Sequence, residues 1–272
     1  MTATSPHARR CIFCGSRKNM TREHVVPNWL RNIIPRVSEN HTHVATLYIK
    51  NESKPTFQRF VKTRGGNLGT RQLLMVCEIC NTGWMKDLQD ELIPILSPLI
   101  NGDWTKFSAQ HAERISVWLA MTTSVVAMSF PKSGGVTVND RNFIRRNLAV
   151  PPGWLMWLGR GSGFHRITYS NRPGTVILGT DATAPDVVET NLAVTTIVLD
   201  QLILHCINAP NAKLLPDLIP YSVDLAVFPI HPWGQPPLDW ATMPIIHDKS
   251  YEWIRLRDAY YFEVMQPLFS RS

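Results

Sequence analysis

Two Cys-x-x-Cys pairs, Cys11/Cys14 and Cys77/Cys80, constrain this chain more than any other feature of its sequence. With no apolar leader in "MTATSPHARR", such pairs point to metal or redox work and not to a disulfide framework. A redox pair more usually occurs once, at the start of a helix after a strand. Four thiolates instead close a tetrahedral Zn²⁺ site, which would anchor the 62 intervening residues at both ends. Cys14 is followed by Gly15 and Cys80 by Asn81, the residue types that best tolerate the left-handed backbone of a tight knuckle. The fifth cysteine, Cys206, lies in the apolar "LILHCINA" and reads as a buried small hydrophobe.

A chain of 272 residues, 44% of them hydrophobic and nine of them tryptophan, buries a sizeable core in one large or two modest domains. Its most apolar run, "VWLAMTTSVVAMSF", is too short and too rich in hydroxyls for a membrane span and reads as a buried helix. We therefore expect a soluble, cytoplasmic protein with no membrane partner. Charge is unevenly placed. Residues 1–76 hold 13 Lys and Arg against 3 Asp and Glu, whereas 77–272 hold 15 against 18. A one-sided cationic segment is the footprint of a polyanion binder, or else a solubilising face. Arg17, Lys18, Arg22, Arg31, Lys62, Arg64 and Arg71 are its candidate phosphate contacts.

The expected class is α+β. Residues 1–10 read as a flexible basic tail, 11–102 as the cysteine-bearing domain and 103–272 as an α+β domain of unknown role, with "INGDW" as the boundary. "PNWLRNII" predicts a short helix opened by proline. "VATLYIK" and "TFQRFVK" predict strands, and "TRGGNLGT" a glycine-rich loop. A helix should begin soon after Asn81 and be disturbed or ended by Pro94 and Pro98. "SAQHAERISVWLAMTTSVVAMSF" sets Ile115, Trp118, Leu119 and Thr122 at helical spacing, and "DRNFIRRNL" predicts a short helix. "WLMWLGR", "FHRITYS" and "GTVILG" predict strands, the last two joined by a turn at Asn171–Gly174. "LAVTTIVL" and "LILHCI" predict a hairpin about Asp200-Gln201, while the proline- and tryptophan-rich end resists assignment.

Between the cysteine pairs lies "TREHVVP". Once four cysteines fill the zinc, His24 is not needed as a ligand. Glu23 is then a hard oxygen ligand, and His24 an imidazole with a pKa near neutrality. Neighbouring strand residues point to opposite faces, so the two can serve different atoms. Plainer readings stand beside this one. Asn81 can serve only the knuckle backbone, His24 can be a structural ligand or a surface residue, and Glu23 can pair with Arg22. His41 and His43 are spaced to share a strand face but read more simply as solvated. His231 and the aromatics of "YEW…YYF" read as packing, and Trp84 and Met85 as core behind the knuckle.

Taken together, "CIFCG", "TREHVVPNWL" and "CEICNTGWM" resemble the HNH endonuclease superfamily in its four-cysteine, zinc-stapled form, over residues 11–92. That resemblance implies a ββα-metal fold and metal-dependent hydrolysis of phosphodiester bonds in DNA, with RNA as the alternative substrate. It makes His24 the base that activates water, and Glu23 and Asn81 the ligands of a catalytic Mg²⁺ or Mn²⁺ beside the structural Zn²⁺. It also implies a bacterial or phage setting. Two positions depart from the pattern. Gln72 stands where an asparagine often orients the base, with Asn67 as the other possibility. Gln89 stands where relatives often carry glutamate, leaving Asp87 or Asp90 to substitute. The rival expectations are a catalytically inactive zinc module that binds nucleic acid, and a scaffold whose C-terminal domain carries the function.

Overall fold

The computed structural model describes residues 10–34, 40–50, 55–66, 68–103, 108–129, 135–164, 166–174, 192–209, 227–232 and 242–250. Of these, 40–50, 55–60, 64, 172–174 and 192 are described by backbone alone. The chain is mixed α+β, as its sequence pattern implies.

Its first unit is a short antiparallel ribbon of β1 (Met20–His24) and the later strand β4 (Gln72–Cys77). Between them a 3₁₀ turn at Asn28–Asn32 follows Pro27, and β2 (Asn40–Lys50) pairs with β3 (Pro55–Gly65) as a separate long ribbon. The β1–β4 register pairs His24 with Gln72 and Glu23 with Leu73, then shifts at Thr21/Arg22. The shift leaves Met75 as the extra residue, and its carbonyl accepts the Ile12 N–H of the first knuckle at 3.0 Å. A bulge thus turns a ladder group outward to hold the cysteine loop.

A short turn, α1 (Glu78–Cys80), leaves β4, and a wide turn at Asn81–Met85 with non-helical Gly83 leads into α2 (Lys86–Asn101). Of the two outcomes expected at Pro94 and Pro98, ending the helix is excluded, since both lie inside α2. Four residues apart, they share one side of the helix, and Pro94 is exposed there. Carbonyls that proline leaves without a donor are therefore on the wetter side. The opposite stripe of Leu88, Leu92, Leu96 and Leu99 is buried and holds the helix in place. Gly102, at φ 89°, closes α2 in the left-handed conformation. A side chain there would collide with Gln201, whose amide nitrogen caps the Asn101 carbonyl at 3.1 Å.

The helix α3 (Ala109–Ala127) is buried without interruption from Ile115 to Ala127, so it is a central helix and not a surface one. Ser108 caps it, accepting the His111 N–H while the His111 ring accepts from the Ser108 N–H. After it come α4 (Val138–Asn147), β5 (Trp154–Ser162), β6 (Ile167–Gly174), β7 (Leu192–Leu199), β8 (Leu202–Asn208), β9 (Val227–His231) and β10 (Ile245–His247). The strands form a sheet in the order β10-β5-β8-β7-β6, with β9 also on β5 and only β10 parallel to its neighbour.

The β7–β8 hairpin turns at Asp200-Gln201 as expected, with Asp200 at φ 52°. Asn171–Gly174 is not a turn; it continues β6 against β7. "GTVILG" beyond Gly174 and the "YEW…YYF" aromatics lie outside the described residues, as does the tail 1–9. No described helix is long and apolar enough to cross a membrane.

One hydrophobic core runs from Cys11 and Phe13 through α2 and α3 to Leu204 and Ile230. It continues across Gly102. Arg141 of α4 adds a polar tie, donating to the Ile12 carbonyl at 2.9 Å and the Val136 carbonyl at 2.6 Å. Cys206 is fully buried, as its apolar surroundings imply.

Candidate metal centre and adjoining pocket

The two cysteine pairs meet. Cys11 leads into a loop at the N-terminal side, and Cys77 ends β4 where the chain turns into α1. Glu78 N–H donates to the Asn19 carbonyl at 2.8 Å, and Gly15 N–H to that of Cys11 at 2.9 Å, which pin the loops together. All four Sγ atoms lie within 4.8 Å of one another, with Cys14 and Cys77 at 3.5 Å and no disulfide among them. Tetrahedral zinc with Zn–S near 2.3 Å sets sulfurs roughly 3.8 Å apart, so the cluster has the spacing to hold Zn²⁺.

Its electrostatics suit a cation. Burial pushes the Cys11 thiol up, but backbone hydrogen bonds from Cys77, Phe13 and Cys14 outweigh it and bring the thiol below its usual value. Burial and the neighbouring sulfurs raise Cys14, and burial with the Cys11 charge raises Cys80 strongly. Four thiolates this close ionise together only around a cation. Phe13 and Trp84 close the site from behind in an edge-to-face contact at 5.0 Å, and Met85 is buried with them.

The knuckles are not equivalent. Gly15 takes the left-handed backbone expected of it, at φ 73°. Asn81 does not; it is right-handed helical at φ −69°, ψ −47°. The second knuckle is a strand-to-helix junction that turns without a left-handed residue, so backbone conformation does not explain an asparagine there. Its side chain has specific partners instead. Asn81 Nδ2 donates to Thr21 Oγ1 at 3.1 Å, and its amide lies near enough to the Glu23 carboxylate to pull that group's pKa down.

Glu23 is only 7% exposed. Burial raises its pKa to about 7, and the Asn81 bond only partly opposes this. It takes part in none of the ion pairs among the described residues. His24, next along β1, is half-buried, as strand alternation requires. Yet both border one pocket, with Gln89 of α2 and with Met121, Thr122 and Val125 of α3. The room inside suits little more than one water-sized guest.

At His24, Nε2 receives two donors. The Gln72 amide lies at 2.9 Å and the Arg31 guanidinium at 2.5 Å, while Arg31 Nε also donates to the Gly69 carbonyl at 3.3 Å. Two donors at Nε2 select the neutral tautomer with its proton on Nδ1. Burial and then the Arg31 charge hold the His24 pKa below the usual value.

Gln72 therefore reaches the histidine that its sequence position brings it beside, and Gln89 reaches the pocket. Asn67 lies outside the described residues. Asp90 pairs with Lys86 on the exposed side of α2, and Asp87 is exposed. Sequence reasoning missed the α3 wall, because a hydroxyl within a buried apolar helix carries no motif.

Among the basic residues, Arg17, Lys18, Arg22 and Lys62 are exposed. Arg64 and Lys62 are the Cα partners of His41 and His43 along the β2–β3 ribbon. Arg71 is engaged inside the protein, donating to Tyr169 Oη at 3.1 Å and the Ser129 carbonyl at 3.4 Å. His231 is half-buried in β9. Comparison of the chain with protein-family models, with curated proteins and with solved structures finds no match.

Proposed function

We propose that this chain is a metal-dependent HNH-type endonuclease that hydrolyses phosphodiester bonds in DNA, with one structural Zn²⁺ on Cys11, Cys14, Cys77 and Cys80. The observation that carries the reading is the meeting of Glu23 and Asn81, 58 positions apart, beside His24. Glu23 and Asn81 would hold Mg²⁺ or Mn²⁺. A buried carboxylate with no ion-pair partner among the described residues, and a carboxamide once its oxygen replaces the Nδ2 that now faces Glu23, form an oxygen donor set that suits these hard ions. When bound, such an ion stabilises the leaving oxygen and the charge developing on phosphate.

His24 takes the proton of the attacking water at Nε2, the ring atom that carries the lone pair in the tautomer the two donors select. Gln72 orients the ring. Arg31 covers the same lone pair in the free protein and is also a natural phosphate ligand. A phosphate oxygen drawing Arg31 away removes one of the two donors on Nε2, and water reaches the lone pair once the Gln72 amide also turns aside, so the contact that covers the base becomes a contact to substrate. Arg17, Lys18, Arg22 and Lys62 supply sequence-independent affinity.

Arg31 on His24 also favours a second reading, nucleic-acid binding without hydrolysis. Cleavage separates the two. Supercoiled plasmid is incubated with Mn²⁺ and wild type, Glu23→Gln or Asn81→Ala protein. The nuclease reading predicts nicking by wild type and at least a hundredfold loss in Glu23→Gln with zinc content unchanged. Salt-sensitive binding without nicking by any of the three supports the second reading.

A further inference from the structure

The helix α3 carries four hydroxyls in its buried stretch, Ser116, Thr122, Thr123 and Ser124. Two are accounted for within the fold: Ser116 and Ser124 each donate to the carbonyl four residues back at 2.8 Å. Thr122 and Thr123 both carry an Oγ1 with no hydrogen-bond partner among the described residues, and of the two only Thr122 lines the pocket. Thr122 is 3% exposed. A buried unsatisfied hydroxyl costs about 1–3 kcal/mol. Valine has nearly the same shape without that cost, so packing alone does not account for threonine.

The residue lines the pocket that Glu23, His24 and Gln89 also line. That pocket has room for a water-sized guest and one unpaired hydroxyl in its wall. We propose that Thr122 is a positioning residue of the metal site, its hydroxyl holding a water of the divalent ion bound at Glu23. The Gln89 carboxamide, on the facing helix, offers a second hydrogen-bonding group for the same water. A helix beyond the cysteine-bearing segment thereby becomes part of the centre, and its buried position fixes the hydroxyl rigidly.

The inference rests on Glu23 as a ligand of the divalent ion, and the test is arranged to separate the two. Mn²⁺ alone is titrated calorimetrically into zinc-loaded, full-length wild type, Thr122→Val, Thr122→Ser and Glu23→Gln. Melting temperatures without Mn²⁺ and zinc contents are measured in parallel. Outer-shell partners typically contribute 10–100-fold to metal affinity. Thr122→Val should therefore bind Mn²⁺ at least tenfold more weakly, while melting at or above the wild-type temperature. Thr122→Ser, which keeps the hydroxyl, should bind within about threefold of wild type. Thr122→Ala provides the same comparison should the valine variant lose zinc.

Equal Mn²⁺ affinity in wild type and Thr122→Val, with Glu23→Gln silent, overturns the role of Thr122 and leaves Glu23 as ligand. Serine and valine variants equally weak overturn the role of the hydroxyl. A wild type that takes up no Mn²⁺ overturns both the inference and the reading of Glu23 beneath it.

Discussion

The Gln72 amide nitrogen stands 2.9 Å from His24 Nε2, and the two residues are direct partners across the β1–β4 ribbon. A ladder this short holds its register firmly, because a one-residue slip would also expose Glu23 and carry Cys77 away from the other cysteines. The contact should therefore act on ring orientation more than on folding. Gln72→Ala is expected to lower cleavage by about 10–100-fold, the range seen when a supporting partner is lost. Its zinc content should stay at one per chain. Single-turnover rates beside metal analysis check this.

The four cysteines make a different prediction. Cys80→Ser removes one ligand from a buried cluster that closes two distant loops. Structural zinc contributes folding free energy directly, and a loss of about 3–5 kcal/mol lowers melting by roughly 10 °C in a protein of this size. The variant should lose zinc and melt at least that much lower. Thermal melts with and without a chelator measure it.

The basic residues divide by what they touch. Arg71 joins β4 to Tyr169 and to the end of α3, so Arg71→Ala should destabilise by about 1–3 kcal/mol through the acceptors it abandons. Arg17 and Lys18 are exposed, and their replacement by alanine should leave melting unchanged. Each should instead weaken DNA binding and lower the salt slope by about one. Denaturation curves and binding isotherms at several salt concentrations separate the two kinds.

His205 of β8, which does not line the pocket, sets an acid limit on stability. It is 1% exposed, with Nδ1 2.8 Å from Thr196 Oγ1 and its ring 5.6 Å from the Trp157 ring. Burial lowers its pKa to about 3. The folded state thus keeps the ring neutral where the unfolded chain takes a proton. This stability is fully present above the unfolded pKa of about 6.5 and is lost as pH falls toward 3. The slope is at most about 1.4 kcal/mol per pH unit from this group. His205→Gln should flatten that limb while lowering stability at pH 8, which urea melts across pH 4–8 would detect.

How far the sequence reaches is clear from particular residues. The cysteine cluster was legible because two Cys-x-x-Cys spacings already imply four ligands. Glu23 and His24 were legible as a pair of unlike groups on one strand. Asn81 was legible by position but misread in conformation, since the strand-to-helix junction needs no left-handed residue. The register that pairs His24 with Gln72 depends on a bulge at Met75, which no local pattern announces. Pro94 and Pro98 do not end the helix because burial of the opposite leucine stripe outweighs the bonds they forfeit. Thr122 was legible only as part of a buried helix face. Its place in the pocket follows from tertiary packing of α3 against the cysteine-bearing unit.

The most direct measurement of the central claim is plasmid and linear DNA cleavage with Mg²⁺ or Mn²⁺, comparing wild type with His24→Ala and assaying zinc in both. The account predicts metal-dependent cleavage by wild type, a loss of about 10²–10⁴-fold in the variant, and one zinc retained in each. Equal cleavage by the two proteins would contradict His24 as the base. Loss of zinc from the variant would contradict the separation of His24 from the cysteine site.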